Sequence, residues 1–312
     1  MTAETGCLPT VSVIIPTYNR ARFIREAIES VFWQTYRDFE LIVIDDGSTD
    51  ETAKIVGALV DNRLNFIRQE NRGRSAARNR AIALARGRYI AFLDSDDMYL
   101  PDKLAQQVDY MDSHPEDGMI YTSAMCIDGD GKPLNSQRYE AWADGEIYKQ
   151  VAFFQPVTIT LPTVMVRREV LNAVGGFDEA MDRFEDTDLW RRIAKHYRVG
   201  ILVEATCILR THGDNTLRSQ DPAKIIEAIE YYVAKIFRED ADVGMRFLKN
   251  GASRLYGYYG RAFMSVPGWR HQGALLTKRS IALEPKRTAE IVASTIRTVL
   301  GSAVRRIFTK AS

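Results

Sequence analysis

The sequence has few cysteines and no apolar run long enough to cross a membrane. Its three cysteines, Cys7, Cys126 and Cys207, form no Cys-x-x-Cys pair. This pattern indicates neither a disulfide framework nor a cysteine zinc site, and a reducing compartment is expected. No window reaches the ~20 apolar residues of a transmembrane helix, and the N-terminus lacks a signal-peptide pattern, so we expect a cytoplasmic protein.

An excess of charge of either sign is also missing. Lysine and arginine number 42 against 41 acidic residues, which gives a formal net charge of +1. No global field would attract nucleic acid, so no nucleic-acid partner is expected. With 312 residues, of which 46% are hydrophobic and 27% charged, the chain has the composition of a soluble globular protein of about two domains.

Several nucleotide and metal motifs are absent as well. Residues 16–21, after the first predicted strand, contain no glycine, which excludes the G-x-G-x-x-G loop of a dinucleotide-dependent dehydrogenase. No G-x-x-x-x-G-K-[ST] occurs, so a P-loop phosphotransferase is excluded, and a sugar nucleotidyltransferase would need a glycine-rich, basic triphosphate loop. No H-x-x-x-H spacing supports a zinc hydrolase.

Strands and helices alternate over the first 97 residues. Short apolar, largely β-branched runs predict strands, and polar-apolar segments between them predict helices. The strands are predicted at 11–15, 41–44, 64–67 and 89–93, and the helices at 21–35, 51–60 and 75–86. Such alternation predicts a parallel sheet with helices on both faces, whose ligands bind beyond the carboxyl ends of the strands.

The pattern changes after Pro101, which predicts a second part of the fold. Helices are predicted at 102–113, 145–154 and 168–174, strands at 118–123 and 156–166, and a hairpin turn at 128–131. A long helical region follows from 221 to about 259, with isoleucines at helical spacing. We therefore predict divisions of the chain at 97/98 and 217/218.

The C-terminal segment is basic and amphipathic. Residues 278–312 contain eight basic and two acidic side chains, a balance of +6. One helical stripe is apolar and consists of Val292, Ile296, Val299, Ala303 and Ile307. Two interpretations stay open: a helix packed on the protein with a solvated charged face, or contact of residues 286–312 with a membrane surface.

Three carboxylates within four residues suggest a cation site. Asp94, Asp96 and Asp97 follow a wholly apolar predicted strand. Like charges this close are destabilising unless a cation or hydrogen-bond donors neutralise them. Mg²⁺ or Mn²⁺ suits such oxygen ligands and holds nucleotide phosphates with one or two protein carboxylates. The sequence therefore predicts a divalent cation and a nucleoside diphosphate ligand.

Five motifs occur in a characteristic order. They are Val-Ile-Ile-Pro-Thr-Tyr-Asn at 13–19, Asp-Asp-Gly-Ser-Thr-Asp at 45–50, the segment 71–79, Phe-Leu-Asp-Ser-Asp-Asp at 92–97, and Glu-Asp-Thr-Asp-Leu-Trp at 185–190. In this order and spacing the chain resembles the inverting family-2 glycosyltransferases over roughly its first 215 residues. The resemblance implies an α/β GT-A fold: a Rossmann-like nucleotide-sugar-binding half (1–97) with a mostly parallel sheet, an acceptor-binding half (98–217) and a helical C-terminal region (218–312).

The resemblance also implies a set of nucleotide contacts. The residues concerned are Pro16, Thr17, Tyr18, Asp46, Arg78, Asp94 and Ser95. Thr17 and Tyr18 would face the ribose and base, and Asp46 would accept a hydrogen bond from uracil N3–H. An ionised carboxylate only accepts hydrogen bonds, so it favours a base that carries an N–H there. A UDP-sugar is the donor expected from this assignment.

The metal and catalytic assignments follow in the same way. Asp96 would bind Mn²⁺ or Mg²⁺ with His212, while Asp97, Glu185 and Trp190 would contact donor or acceptor. Asp186 would be the general base that deprotonates an acceptor hydroxyl, which attacks the anomeric carbon in line and inverts it. Two alternatives stay open. The acidic residues 185, 186 and 188 could simply favour the first turn of a helix, and the chain could be a non-catalytic binding or scaffold subunit.

The acceptor is less well defined by the sequence. The processive signature Gln-x-x-Arg-Trp is absent, so we expect transfer of one sugar per encounter. A glycan or lipid-linked glycan is the expected acceptor, since the basic tail would suit the inner face of the plasma membrane.

Overall fold

The chain divides into two compact units. A computed structural model describes residues 8–153, 157–213 and 221–309, without the side chains of 136 and 299–309. One unit ends at Gly213 and the other begins at residue 214. The predicted boundary at 217/218 lies outside the described residues, and the division at 97/98 stays a prediction.

A nine-stranded sheet runs through the first unit. Its strands are β1 (Val11–Thr17), β2 (Phe39–Asp45), β3 (Leu64–Arg68), β4 (Tyr89–Phe92), β5 (Met98–Tyr99), β6 (Asp117–Asp128), β7 (Pro133–Tyr139), β8 (Met165–Arg167) and β9 (Arg198–Thr211). The strand order is β3-β2-β1-β4-β8-β6-β9-β5, with β7 paired to β6. The α/β fold class is confirmed.

The N-terminal half of the sheet is parallel. β1 pairs in parallel with β2 and β4, and β2 pairs in parallel with β3. Every residue of β1 and β2 is buried, as expected for apolar strands covered on both faces. The intervening helices are α1 (Ile24–Phe32), α2 (Thr52–Gly57) and α3 (Arg74–Leu84). Because these strands run the same way, their carboxyl ends meet at one edge of the sheet.

The second half of the sheet is mixed. β8 joins it antiparallel to β4 and β6, β6 and β9 pair in parallel, and β6 and β7 form an antiparallel hairpin. The helices here are α4 (Lys103–Ser113), α5 (Tyr148–Val151), α6 (Arg168–Val174) and α7 (Glu185–His196). The helix at 168–174 is confirmed, and α5 is shorter than the predicted 145–154.

The predicted strand at 156–166 is wrong for most of its length. Residues 161–163 form a 3-10 turn, and the strand covers only Met165–Arg167. The apolar run reflects a buried turn against β4, β6 and β9, and Pro162 has no N–H for a strand ladder. Pro156 lies outside the described residues.

The second unit is helical. Its helices are α8 (Pro222–Glu239), α9 (Met245–Met264), α10 (Arg270–Leu283) and α11 (Thr288–Thr309). The helical region predicted from 221 to about 259 consists of α8 and α9, and Gly244, with a positive φ of 101°, directly precedes α9. In α11, Ile291 and Thr295 are buried, whereas Val292 and Ile296 are 39% and 51% exposed.

Gly87 allows β4 to approach β1 closely, and it provides a test of this packing. Its N–H donates to Ser12 Oγ at 2.9 Å, and an added Cβ would lie 2.5 Å from the Ser12 backbone nitrogen. We expect Gly87→Ala to lower the free energy of unfolding by about 1–3 kcal/mol, because the two strands must separate. Urea denaturation measures the loss.

Gly57→Ala is the matched control. Its added Cβ meets nothing within 4 Å, so stability should be unchanged or raised by up to ~1 kcal/mol. Equal effects of the two substitutions would contradict the close approach of β4 to β1.

Candidate active site

The loops that carry the sequence motifs converge at the carboxyl edge of the parallel strands. Thr17 at the end of β1 lies opposite Asp45 at the end of β2. The N–H of Asp46 donates to the carbonyl of Thr17 at 2.8 Å, and that of Leu93 donates to Ile14. The loops after β1, β2 and β4 are therefore neighbours.

The loop after β1 is fastened to the loop after β2 through Asn19. Its N–H donates to Ser48 Oγ at 2.9 Å, and its Oδ1 accepts from the Thr49 N–H at 2.8 Å. Asn19 has a φ of 51°, a region that asparagine tolerates. Pro16 is buried within β1, and Tyr18 is 44% exposed. The Thr17 hydroxyl is buried and has no hydrogen-bond partner within the protein.

Asp46 is buried and accepts three hydrogen bonds. Gln69 Nε2 donates to its Oδ1 at 2.7 Å, and the Arg72 N–H donates to the same oxygen at 3.0 Å. The Gly73 N–H donates to Oδ2 at 2.8 Å. All three donors are uncharged groups, so the carboxylate is stabilised without a salt bridge among these contacts. This fixes an acceptor at the end of β2.

Arg78 connects the loop after β4 with the start of α7. Its side chain is buried, and its terminal nitrogens lie 2.8 Å from Asp94 Oδ1 and 2.9 Å from Glu185 Oε1. The guanidinium also packs over the Phe177 ring at 5.2 Å. Burial alone would raise the pKa of Glu185, but the charges of Arg74 and Arg78 lower it below its usual value. Glu185 is therefore held ionised.

Asp186 follows an uncommon backbone turn. Phe184 has a φ of 63°, which is rare for a bulky residue and costs of order 1 kcal/mol. The turn starts α7 so that Asp186 Oδ1 accepts from the N–H of Thr187 at 2.6 Å. Burial and the nearby charge of Glu185 raise the pKa of Asp186 to about 6, although the Thr187 N–H and Arg78 oppose the shift. A carboxylate with this pKa can accept a proton near neutral pH.

Asp188 and Trp190, which follow in the same motif, point into the protein. Asp188 is fully buried, and its oxygens lie 2.8 Å from Arg191 and 2.9 Å from Arg192. Trp190 is 1% exposed, and its ring packs against Phe92 and Phe177. Trp190 is therefore part of the packing around these rings, and the donor or acceptor contact expected for it stays a prediction.

Asp96 and His212 are in direct contact. Asp96 Oδ2 lies 2.8 Å from His212 Nε2 and 3.5 Å from Arg20 Nε. Across the described ranges, no group of three or more His, Cys, Asp or Glu side chains is arranged to hold a metal ion. The Asp96 and His212 pair could supply two protein ligands to a cation, and Mg²⁺ commonly keeps several waters and binds substrate phosphates beside one or two carboxylates.

The rest of the 94–97 loop is fixed by β9. The backbone N–H of Arg210 donates to Asp97 Oδ1 at 2.7 Å, and the side-chain Nε of Arg210 donates to the Asp96 carbonyl at 3.1 Å. Arg210 also pairs with Glu26 of α1. Burial and the neighbouring charges of Asp96 and Asp94 raise the pKa of Asp97 well above its usual range. Ser95 is buried in the same loop.

Sequence reasoning missed four polar residues around the site: Arg20, Gln69, Arg74 and Arg210. Arg20 and Arg74 lie inside or beside quoted motifs, and their charge next to acidic loops could have drawn attention to them. Gln69 and Arg210 are brought to the site by β3 and β9, and a neutral residue such as Gln69 gave no signal.

Comparison with known proteins identifies the family. Residues 12–175 match the profile of Glycosyl transferase family 2. The chain belongs to this family. An uncharacterized glycosyltransferase of Rickettsia felis is 38% identical over 218 residues, which are 69% of this chain and 35% of the relative. The chain therefore spans about a third of the length of that relative. The family expected from the sequence motifs is confirmed.

Solved structures agree on the GT-A fold. S. aureus TarS (residues 1–349), in complex with UDP-GlcNAc, superposes with a TM-score of 0.65 at 21% identity, covering 94% of this chain and 89% of TarS. The mannosyltransferase PcManGT from Pyrobaculum calidifontis, in complex with GDP-Man and Mn²⁺, gives a TM-score of 0.57 at 21% identity, covering 98% of this chain and 89% of PcManGT. The predicted fold is confirmed.

The raised pKa of Asp186 predicts a pH-dependent cost in stability. Its pKa is about 6 in the folded protein and ~4 in the unfolded chain. The folded state thus binds this proton more tightly, and the associated stability is present below pH ~4 and lost as pH rises through 6. Asp186→Asn cannot ionise, so it should gain roughly 1–3 kcal/mol relative to wild type between pH 4 and pH 7.5. Urea denaturation at several pH values measures this difference, and a difference that does not change with pH would contradict the assigned environment.

Proposed function

We propose that this glycosyltransferase moves one sugar from a UDP-sugar to a hydroxyl of a glycan or lipid-linked glycan, with inversion at the anomeric carbon. The observation that carries the proposal is the buried Arg78, which bonds both Asp94 of the loop after β4 and Glu185, the neighbour of Asp186. A candidate base is thereby held beside the loop expected to bind the donor. A base must lie within reach of the proton that it removes.

The choice of a uridine nucleotide rests on Asp46. Its carboxylate offers only acceptor positions, and uracil presents an N–H at N3. Among proteins of the same fold, TarS is described with UDP-GlcNAc and PcManGT with GDP-Man, so the fold accommodates both bases. The acceptor at Asp46 supports UDP for this chain, while Thr17 and Tyr18 would contact the ribose and base.

A divalent cation fits the pair Asp96 and His212. Carboxylate oxygen and imidazole nitrogen are both suitable ligands for Mn²⁺, and carboxylate oxygen suits Mg²⁺. The carboxyl groups of Asp94, Asp96 and Asp97 lie close together, and a cation would lower the cost of ionising them side by side. A bound ion would supply positive charge that stabilises the departing nucleoside diphosphate.

In the proposed displacement Asp186 acts as general base. It takes the proton of the acceptor hydroxyl while that oxygen forms a bond to the anomeric carbon and the bond to the diphosphate oxygen breaks. The electron pair of the broken bond leaves with the nucleoside diphosphate. Attack from the face opposite the leaving group inverts the anomeric carbon, and no covalent enzyme intermediate forms.

Nucleotide titration tests the donor and the cation together. We expect the full chain to bind UDP more tightly than GDP or TDP, and to lose at least ~10-fold in affinity on chelation of Mn²⁺. Asp96→Ala lacks the proposed metal ligand. It should therefore bind UDP equally weakly with Mn²⁺ and after chelation, at the affinity of the chelated wild type. Preference for GDP or TDP would overturn the Asp46 assignment, and equal binding with and without Mn²⁺ would overturn the metal assignment.

The kinetics of Asp186→Asn test the base. We expect kcat to fall by about 10²–10⁴-fold, the usual contribution of a general base, with UDP affinity unchanged because Asp186 acts on the acceptor side. Asp182→Asn, an exposed residue just before the same turn, is the matched control and should keep its activity. Sugar release from a UDP-sugar in the presence of acceptor provides the assay, and unchanged turnover in Asp186→Asn would exclude the assignment.

We also propose that residues 286–312 contact the cytoplasmic face of a membrane. Val292 and Ile296 are exposed and belong to the apolar stripe of the basic C-terminal segment, whose remaining members Val299, Ala303 and Ile307 have side chains outside the described part of the structure. Basic amphipathic helices of this kind bind anionic lipid surfaces. No helix among the described residues is long and apolar enough to span a bilayer.

Vesicle co-sedimentation tests the membrane contact. The full chain should bind vesicles that contain phosphatidylglycerol, bind pure phosphatidylcholine weakly, and dissociate at high salt. Ile296→Asp should reduce binding several-fold by placing a negative charge on the apolar stripe. Val60→Asp, at a 99% exposed position of the first unit, should have no effect. Equal loss in both variants, or no binding by the wild type, would contradict the proposal.

A further inference from the structure

The three hydrogen bonds of Asp46 do not use all the acceptor positions of its carboxylate. An ionised carboxylate has about four acceptor positions, two on each oxygen. Gln69 Nε2 and the Arg72 N–H occupy both positions of Oδ1, and the Gly73 N–H occupies one of Oδ2. One acceptor position on Oδ2 therefore remains for a ligand.

We call Asp46 and its three donors the Asp46 pocket, and the direction of its hydrogen bonds is set by Arg80, which contacts Gln69. A guanidinium only donates hydrogen bonds, and Arg80 Nη1 lies 3.0 Å from Gln69 Oε1. The carboxamide of Gln69 is thus oriented with its oxygen toward Arg80 and its NH₂ toward Asp46. The Gln69 N–H also donates to the Asp45 carbonyl at 2.9 Å, which fixes the backbone beside the pocket.

We propose that Gln69, oriented by Arg80, is a positioning residue that makes the Asp46 pocket select a base with an N–H donor and reject a base with an acceptor at the same place. The proposal rests on the proposed role of Asp46 toward a uridine nucleotide. It adds a determinant of base specificity that lies directly after β3 (Gln69) and on α3 (Arg80), outside the motifs quoted above.

The chemical contrast is that between uracil and cytosine. Uracil N3 carries a hydrogen that can donate to the remaining acceptor position of Oδ2, whereas cytosine N3 carries a lone pair that would face the carboxylate. Two acceptors without a proton between them leave both unsatisfied, and sites built on a specific hydrogen bond discriminate strongly against a ligand that cannot make it. Discrimination depends on a fixed carboxylate, because a carboxylate free to turn could avoid the lone pair.

Substitutions at residue 69 change the pocket in two different ways. Gln69→Ala removes one donor from Oδ1, so Asp46 gains freedom to rotate. Gln69→Glu places a second carboxyl group beside Asp46, and two adjacent carboxyl groups favour a shared proton. A protonated pair can donate a hydrogen bond, which cytosine N3 can accept. Both substitutions should therefore reduce the preference for uracil, and Gln69→Glu should reduce it further.

Titration calorimetry of the full chain with UDP and with CDP, both in the presence of Mn²⁺, tests the proposal. The readout is the ratio of the two affinities, which a merely structural role of Gln69 would leave unchanged. We expect the wild type to favour UDP by at least ~10-fold, and Gln69→Ala to weaken UDP binding by ~3–10-fold with CDP binding unchanged or stronger. Arg80→Met leaves Gln69 in place and should lower the ratio to a smaller extent. Gln106→Ala, at an exposed position of α4, is the control.

The outcomes separate this proposal from the proposed function. A wild type that binds neither nucleotide, or both equally, overturns the uridine assignment of Asp46. A wild-type preference for UDP that persists in Gln69→Ala and Arg80→Met overturns the positioning role alone. Thermal unfolding shows whether Gln69→Ala is folded, and if it is not, Arg80→Met decides the question because Arg80 is exposed on the surface of α3.

Discussion

The arrangement of the site depends on the buried ion pairs of Arg78. Its guanidinium joins Asp94 and Glu185, two carboxylates that are far apart in sequence and belong to different loops. A buried charge is tolerated only with partners, and removal of one partner from such a pair typically costs 3–5 kcal/mol. Each loop therefore stabilises the position of the other. The position of the loop after β4 relative to the start of α7 is thereby set by Arg78.

Arg78 also helps to give the adjacent carboxyl groups of Glu185 and Asp186 different pKa values. Glu185 touches the guanidinium and has a lowered pKa, whereas burial and the charge of Glu185 raise the pKa of Asp186 to about 6. Neighbouring acids with diverging pKa values are a common basis for assigning different roles. One acid keeps its negative charge for the ion pair, and the other can exchange a proton at neutral pH.

The sequence predicted the parts of the fold whose signals are local. Apolar β-branched runs located β1 to β4, and the motifs placed Asp46, Asp94, Asp96 and Glu185 at the strand ends and at α7. The buried 3-10 turn at 161–163 was mistaken for a strand, because an apolar run reports burial and not conformation. Contacts made by Gln69 and Arg210 depend on strand pairing, which residue types alone do not specify. The burial of Trp190 likewise follows from the rings of Phe92 and Phe177 that surround it.

The backbone of the site is strained at two residues, Asn19 and Phe184. Among non-glycine residues of the described ranges, only Asn19 and Phe184 have positive φ. Asn19 contacts the loop at 45–50, and Phe184 directly precedes Glu185 and Asp186. Strained backbone persists where surrounding contacts determine it. Here the contacts of Asn19 with Ser48 and Thr49, and the ion pair of Glu185 with Arg78, supply that determination. Both strained residues are therefore held by hydrogen bonds or an ion pair that join segments distant in sequence, so the strain at each position depends on the tertiary fold and not on the local sequence alone.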